Sequence, residues 1–346
     1  MSDIQKSYFT THKLPLPQRM DAWRDSIGAV FDVSLDAGRP LRPDLNSTVN
    51  SYLLNNQLMV SRCDTVGQRF ERSPLKVAQD CLDHYLIQTH LTGSQSMKRG
   101  KSDVRCETGD LMIIDLADKH DAITTDFAQL TIVVPRHMLA PRLLAPDSQE
   151  GRVLRGDTPL TMMAVSHLKT LYNMLGLFSE KDALEVIEPT LLLLASALNG
   201  SSDQIENDSV AISLLASAKV LIEKNLHKQL SIDKLCGLLR CSRSTLYRLF
   251  ESLGGVRAYV QERRLRRSAS QLLSLSHSKR RICDIAWAWG FASEAHYSRA
   301  FRLRFGMTPR EARMGLSLER KISLSPGATE VGDRYYEQWL AENLRA

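Results

Sequence analysis

The stretch from Gly290 to Arg313 reads GFASEAHYSRAFRLRFGMTPREAR. Gly-Phe opens it and Gly-Met-Thr-Pro closes it. Between them apolar residues fall on one side of a helix, and Arg, His and Glu on the other. Shifted back by 51 residues it lands on CSRSTLYRLFESLGGVRAY, with Ser293 on Ser242, Tyr297 on Leu246, Arg299 on Arg248, Phe301 on Phe250 and Gly306 on Gly255. The preceding segments match at a shift of 50, pairing Ile282 with Ile232, Ile285 with Leu235, Ala286 with Cys236 and Trp289 with Leu239. Two copies of one helix-turn-helix unit account for the pattern.

Each copy has a physical logic. Ser231, Ser242 and Ser293 stand where a hydroxyl can cap the start of a helix. Ile232, Leu235 and Leu239 form an inward stripe, and the small Cys236, like Ala286, lets the second helix cross closely. Leu246, Leu249, Phe250 and Leu253 in copy one, and Tyr297, Ala300 and Phe301 in copy two, face the core. The opposite face carries Ser244, Thr245 and Arg248 in copy one, and Glu294, Ala295, His296 and Arg299 in copy two. An outward face at a helix N-terminus with an Arg one turn on suits a major-groove reader. Arg can bond guanine in two places, and small or hydroxyl residues can meet thymine methyls and base edges. A solvated polar face is the commoner fate of such residues; repetition of the layout within a basic module argues against it.

The copies are joined by one helical run, Val256 to Leu275, ending near Ser274. At about 1.5 Å per residue it spans roughly 27–30 Å, against about 34 Å between successive major grooves on one face of a duplex. Its basic run Arg263-Arg264-Leu265-Arg266-Arg267 is a candidate for phosphate contact, with a salt-bridged or solvated face as an equal alternative. The phosphate candidates are Arg243, Arg263, Arg267, Lys279, Arg281, Arg302 and Arg304. Thr308-Pro309-Arg310-Glu311 has the layout of a capping box with Pro at the first helical position.

Charge divides along the chain. Residues 209–320 hold 21 Lys and Arg against 8 Asp and Glu, a net +13; the remainder holds 24 against 31, a net −7. A basic module joined to an acidic one points to a polyanion partner for one part only. The change of sign coincides with Asn199-Gly-Ser-Ser-Asp-Gln-Ile-Glu-Asn-Asp-Ser209, which has linker composition.

Before that linker the chain is mixed. Pro17 to Val33 has helical spacing. Leu58-Met-Val-Ser-Arg, Tyr85-Leu-Ile-Gln-Thr-His-Leu, Asp110-Leu-Met-Ile-Ile-Asp and Leu130-Thr-Ile-Val-Val are strand-like and predict an antiparallel barrel or sandwich. Leu160 to Phe178 and Lys181 to Leu198 are helix-length and apolar enough to pack on each other or on a second chain. No apolar run reaches the roughly 18 residues of a membrane span, and the N-terminus lacks a signal-peptide layout, so a cytoplasmic protein is expected. The six cysteines form no CxxC pair, and Cys236 and Cys241 lack the partners of a zinc site.

The ordered residues Ile282, Ala286, Gly290-Phe291, Ser293, Tyr297, Arg299-Ala300-Phe301, Phe305-Gly306, Thr308-Pro309 and Glu311 resemble the DNA-binding domain of AraC/XylS-type bacterial transcription regulators. The resemblance covers about Ser213 to Arg313. It implies two helix-turn-helix units on a long helix, promoter DNA and RNA polymerase as partners, and base-contacting roles for Ser244, Tyr247 and Arg248, and for Glu294, Ala295, His296 and Arg299. One departure is Arg240, where the family usually has a Gly in the first turn; the second copy keeps Gly290. More loosely, Asp83-His84-Tyr-Leu-Ile-Gln and Gly109-Asp-Leu-Met-Ile-Ile-Asp-Leu resemble the family's cupin-like sensing domain, which implies a small-molecule effector, dimerisation, or both.

A cupin-like barrel also raises the alternative of a metal-dependent enzyme fused to a DNA-binding module. His84, His90, His120 and His137 lie in the region, but no His-x-His pair is followed by a usable Glu, and no phosphate loop or nucleophile motif occurs. Individually satisfied histidines are the expectation, with no catalytic residue, metal or cofactor. The expected architecture is α+β. Residues 1–198 form a sensing domain (barrel about 50–135, helices about 160–198) and 199–209 a linker. Residues 210–313 form an all-α DNA-binding domain with units at about 231–253 and 281–305, and 314–346 a C-terminal extension, whose amphipathic end is expected to fray or pack on itself, with a contact to polymerase or to the sensing domain as the alternative. The expected function is sequence-specific transcriptional regulation, as an activator, by two helices in adjacent major grooves, under an effector or a homodimer contact, with no membrane partner.

Overall fold

The computed structural model describes residues 4–35, 46–80, 82–99, 102–200, 209–228, 230–273, 280–314 and 332–340. Among these, the strands pair into two antiparallel sheets. A seven-stranded sheet runs β1 (Gln5–Thr10), β3 (Thr48–Leu54), β4 (Leu58–Thr65), β11 (Phe127–Pro135), β6 (His84–Thr92), β9 (Leu111–Asp115), β12 (Arg152–Leu154). A five-stranded sheet runs β2 (Asp32–Ser34), β5 (Arg69–Arg72), β10 (His120–Thr124), β7 (Gln95–Arg99), β8 (Ser102–Cys106). The strands expected as a barrel thus pair as two sheets about a shared apolar core. The four expected strands are the central β4, β6, β9 and β11. They carry apolar runs because both faces of their sheet are covered, with buried polar residues such as Ser61, Gln88, Gln129 and Thr131 among them. Side chains alternate between the faces. Leu86, Met112, Ile114 and Val133 meet the core shared with the second sheet, whereas Tyr85, Ile87, Ile113, Ile132 and Val134 meet a layer of helices.

Helix α1 (Leu16–Ile27) is shorter than the run Pro17 to Val33 predicts. Val30 and Phe31 leave it to enter the core, because Asp32–Ser34 must extend to pair with β5. After α2 (Pro74–Asp80) and α3 (Arg136–Leu139), helices α4 (Pro159–Met174) and α5 (Glu180–Gly200) pack on each other and on the outer face of the large sheet. Helix α5 is long and apolar enough to cross a bilayer by length and composition, though no apolar run within it reaches a membrane span. Its face Ala183, Ile187, Leu191, Leu194 and Leu198 is buried against those neighbours.

The helical C-terminal domain comprises α6 (Ser209–Asn225), α7 (Ile232–Leu239), α8 (Arg243–Leu249), α9 (Val256–Leu273), α10 (Ile282–Ala288), α11 (Glu294–Phe305) and α12 (309–314). It has two small cores. Ala218, Ile222, Leu235, Leu246 and Phe250 form one; Leu265, Leu272, Ile285, Tyr297 and Phe301 form the other, and Trp289 packs against both. Val77 of α2 joins the second core, so the two domains touch through apolar atoms. The last helix, α13 (Tyr335–Gln338), corrects the expectation of a self-packed tail. Tyr336, Trp339 and Leu340 are buried in the core between the two sheets.

Candidate DNA-reading faces and effector cavity

The second helix of each unit begins where its serine predicts. Ser242 Oγ accepts from the Thr245 N–H at 3.1 Å, and Ser293 Oγ accepts from the His296 N–H at 3.1 Å. The turns before them are built alike. Arg240 (φ +51°) and Gly290 (φ +73°) both adopt the left-handed conformation. The Cys241 N–H then donates to the Cys236 carbonyl at 3.1 Å, and the Phe291 N–H to the Ala286 carbonyl at 3.0 Å. Arg240 therefore takes the turn geometry that glycine takes in the second copy.

On α8, Ser244, Tyr247 and Arg248 are exposed, and Thr245 is half-buried with its hydroxyl 2.8 Å from that of Ser242. On α11, Glu294, Ala295, His296 and Arg299 are all exposed. The opposite faces, Leu246 and Leu249 on one and Tyr297, Ala300 and Phe301 on the other, are buried. Arg302 and Arg281 are exposed. Arg243 is exposed too, and its Nε donates to Asp233 Oδ1 at 2.7 Å. Lys279 lies outside the described residues.

Sequence reasoning missed Arg264. Its guanidinium donates to the carbonyls of Leu226 (3.0 Å) and Lys228 (2.7 Å), just past α6, and to that of Gly290 (3.0 Å) in the second unit's turn. A Cβ on Gly290 would meet the Arg264 guanidinium at 2.8 Å, so a side chain there would push Arg264 aside besides straining the backbone at φ +73°. One side chain on the linking helix thus ties the two reading units together.

The other arginines of that run face the N-terminal domain. Arg263 differs from the expectation of a phosphate contact. It is 3% exposed, pairs with Glu223 of α6, and lies 3.8 Å from Asp83 and 3.9 Å from Asp147. Arg304 likewise turns inward. Its Nε meets Glu262 at 2.8 Å, and its Nη2 meets the Ala117 carbonyl at 3.1 Å and Asp118 at 3.6 Å. Arg267, about a third exposed, lies 3.4 Å from Glu223, and Arg266 lies 3.8 Å from Asp115. Across the junction, buried Arg136 bonds Asp83 (2.6 Å), Asp115 and Tyr85. Burial alone would raise the Asp83 carboxyl, but Arg136, Arg263, Arg266 and Arg267 hold it well below the carboxylate range. Part of the basic module's charge is neutralised within the chain.

Between the two sheets lies a cavity of about 710 Å³ of atom-free space, including its mouth. Phe31, Phe70, Phe127, Leu86 and Val133 give it an apolar wall, and Gln88, Gln129 and Thr131 a polar one. Tyr336 and Leu340 of the C-terminal segment line it as well.

The four histidines do not converge. His120 Nδ1 lies 2.7 Å from Glu150 Oε1, and His90 Nδ1 lies 3.9 Å from Cys106 Sγ. Burial lowers His90 to about 4 and also lowers His137. Among the described residues no group of three or more His, Cys, Asp or Glu is placed to hold a metal ion.

Two sequence profiles match the chain. An AraC-binding-like domain covers residues 23–199, and a helix-turn-helix domain covers 235–315. The chain is 26% identical to the transcriptional activator NphR of Rhodococcus sp over 246 residues, 69% of this chain and 72% of that protein. It is 38% identical to the HTH-type transcriptional regulator ArgR of Pseudomonas aeruginosa over 101 residues, 29% of this chain and 30% of that one. The fold is similar to the crystal structure of the AraC-like transcriptional activator CuxR, with a TM-score of 0.54 and 21% identity, covering 76% of this chain and 95% of that one. These relatives are transcriptional regulators and lend no support to the alternative of a fused metal-dependent enzyme. With one profile spanning more than half of the chain and the other residues 235–315 of its helical part, the protein belongs to the AraC family of transcriptional regulators, with an N-terminal effector-binding domain and a C-terminal helix-turn-helix DNA-binding domain.

Proposed function

We propose that this regulator activates transcription by placing α8 and α11 in adjacent major grooves of one promoter face. The observation that carries this reading is the repeated pair of exposed faces, Ser244/Tyr247/Arg248 and Glu294/Ala295/His296/Arg299, held by one helix and tied by Arg264. Arg243, Arg281 and Arg302 remain accessible for phosphates. An α9 of 18 residues is about 27 Å long, which suits the groove spacing. In this reading residues 1–198 receive the effector, 199–209 link, 210–313 read DNA, and the protein acts in the cytoplasm by recruiting RNA polymerase, without a catalytic role. The exposed apolar side chains of α4 and α5, among them Met162, Met163, Leu184 and Leu192, support a homodimer contact through that face. The cavity between the sheets receives the effector, which shifts the population of DNA-competent arrangements by its differential affinity.

Binding site selection from genomic fragments, repeated with Arg299→Ala, tests the reading. If Arg299 reads a base, the substitution costs about 1–3 kcal/mol at one base position and relaxes preference there. An equal loss on every sequence would make Arg299 a phosphate contact instead.

A further inference from the structure

This inference rests on reading the cavity as the effector site and concerns the chemistry of its occupant. Two rows of polar side chains cross the inner face of the seven-stranded sheet. In the first, Ser61 stands opposite Thr131, and Thr131 opposite Gln88; in the second, Cys63 stands opposite Gln129, and Gln129 opposite His90. The members of the first row are already engaged. Gln88 Nε2 donates to Thr131 Oγ1 at 3.3 Å, and the Ser61 hydroxyl lies 2.8 Å from that of Ser51. Gln129 is different. It is 8% exposed, lines the cavity, and its side-chain oxygen is buried with no hydrogen-bond partner. Nε2 of His90, opposite it on β6, is also buried without a partner among the described residues. An unpaired buried amide oxygen is costly, and a donor from a bound molecule would relieve that cost.

The walls also limit charge. Among the described residues, no Lys, Arg, Asp or Glu lines the cavity. Its histidine, His120, is held by Glu150 at 2.7 Å and lies 3.2 Å from the Gln95 amide. An ion entering here would lose its hydration and find no free counter-charge.

The C-terminal segment 332–340 supplies part of the cavity wall. Gly332, with φ +106°, passes against the Tyr8 carbonyl so closely that a side chain could not fit. Beyond it the Ser7 hydroxyl donates to Asp333 at 2.5 Å, and Arg334 pairs with Asp25 at 2.5 Å. The Ser26 hydroxyl lies 2.6 Å from both Tyr336 Oη and Glu337 Oε1. These anchors set Tyr336 and Leu340 into the cavity wall, after the DNA-reading helices in the chain.

We propose that the cavity takes a compact uncharged molecule, an apolar ring or short chain carrying one or two hydrogen-bonding groups, which donates to the Gln129 amide oxygen and lies against the segment 332–340. Its occupancy is then felt by a segment covalently continuous with the DNA-reading domain.

Thermal unfolding of the full chain in equal excesses of four probes of one shape tests this. Benzamide and benzyl alcohol are uncharged; benzoate and benzylammonium are charged. The two uncharged probes are expected to raise the midpoint by about 2–4 °C, and the charged ones to leave it unmoved. Gln129→Met, which keeps bulk and removes the amide, is expected to abolish the benzamide shift. A larger shift with benzoate or benzylammonium overturns the uncharged class, as does the absence of any shift; both outcomes are read on the unaltered chain, whatever the folding of the variant. The effector reading itself fails separately, if filling the cavity with Thr131→Trp leaves regulated reporter transcription unchanged in cells.

Discussion

At Arg240 the chain carries an arginine in the left-handed turn that its own second copy gives to Gly290. A side chain there costs about 1–2 kcal/mol of steric strain, which glycine escapes while losing some chain entropy. Arg240→Gly is therefore expected to stabilise the protein by about 0.5–1 kcal/mol, read as a higher denaturant midpoint at unchanged slope. A lower midpoint would mean that the arginine side chain makes a contact worth more than the strain. This departure was visible in the sequence because the family resemblance expects a glycine there and the second copy keeps one at Gly290. The run Arg263-Arg264-Leu265-Arg266-Arg267 was not legible in the same way. Successive residues of a helix point about 100° apart, so adjacent arginines take different partners. Arg263 reaches Glu223, Arg264 the Gly290 carbonyl and Arg266 Glu262. Composition told of the charge; the neighbours decide its use.

Among the elements, α4 and α5 carry an unanswered face. Their inner sides fill the core beside the large sheet, yet Met162, Met163, Leu184 and Leu192 are each more than half exposed. A dimer closing this face would bury them, and Met163→Glu with Leu184→Glu would set charges into that contact. Sedimentation is expected to show a dimer for the unaltered protein and a monomer for the double variant, with the fold intact by circular dichroism. A dimer that survives both changes places the contact elsewhere. The strands β4, β6, β9 and β11 were legible from their short apolar, β-branched runs, because most of their side chains are buried on one face or the other. The tail was legible only as an amphipathic helix. Its partners, Ser7 and Ser26, lie more than 300 residues away in sequence, beyond anything local periodicity can report.

Over the whole molecule, the opposed charges of the two domains meet at their junction. Asp83, Asp115 and Asp147 of the sheet domain face Arg263 and Arg266 of the linking helix, around the buried Arg136. Arg248 on α8, and Arg299 and Arg302 on α11, remain exposed. The linking helix therefore has two sides: one docks on the effector-binding domain, and Arg264 fixes the two reading units to each other. If both units read one duplex together, hydroxyl-radical footprinting on a selected site shows protection over two adjacent major grooves on one face per protomer, with the α11 half lost in Arg299→Ala and the α8 half retained. Protection that never spans two adjacent grooves per protomer would contradict that joint reading.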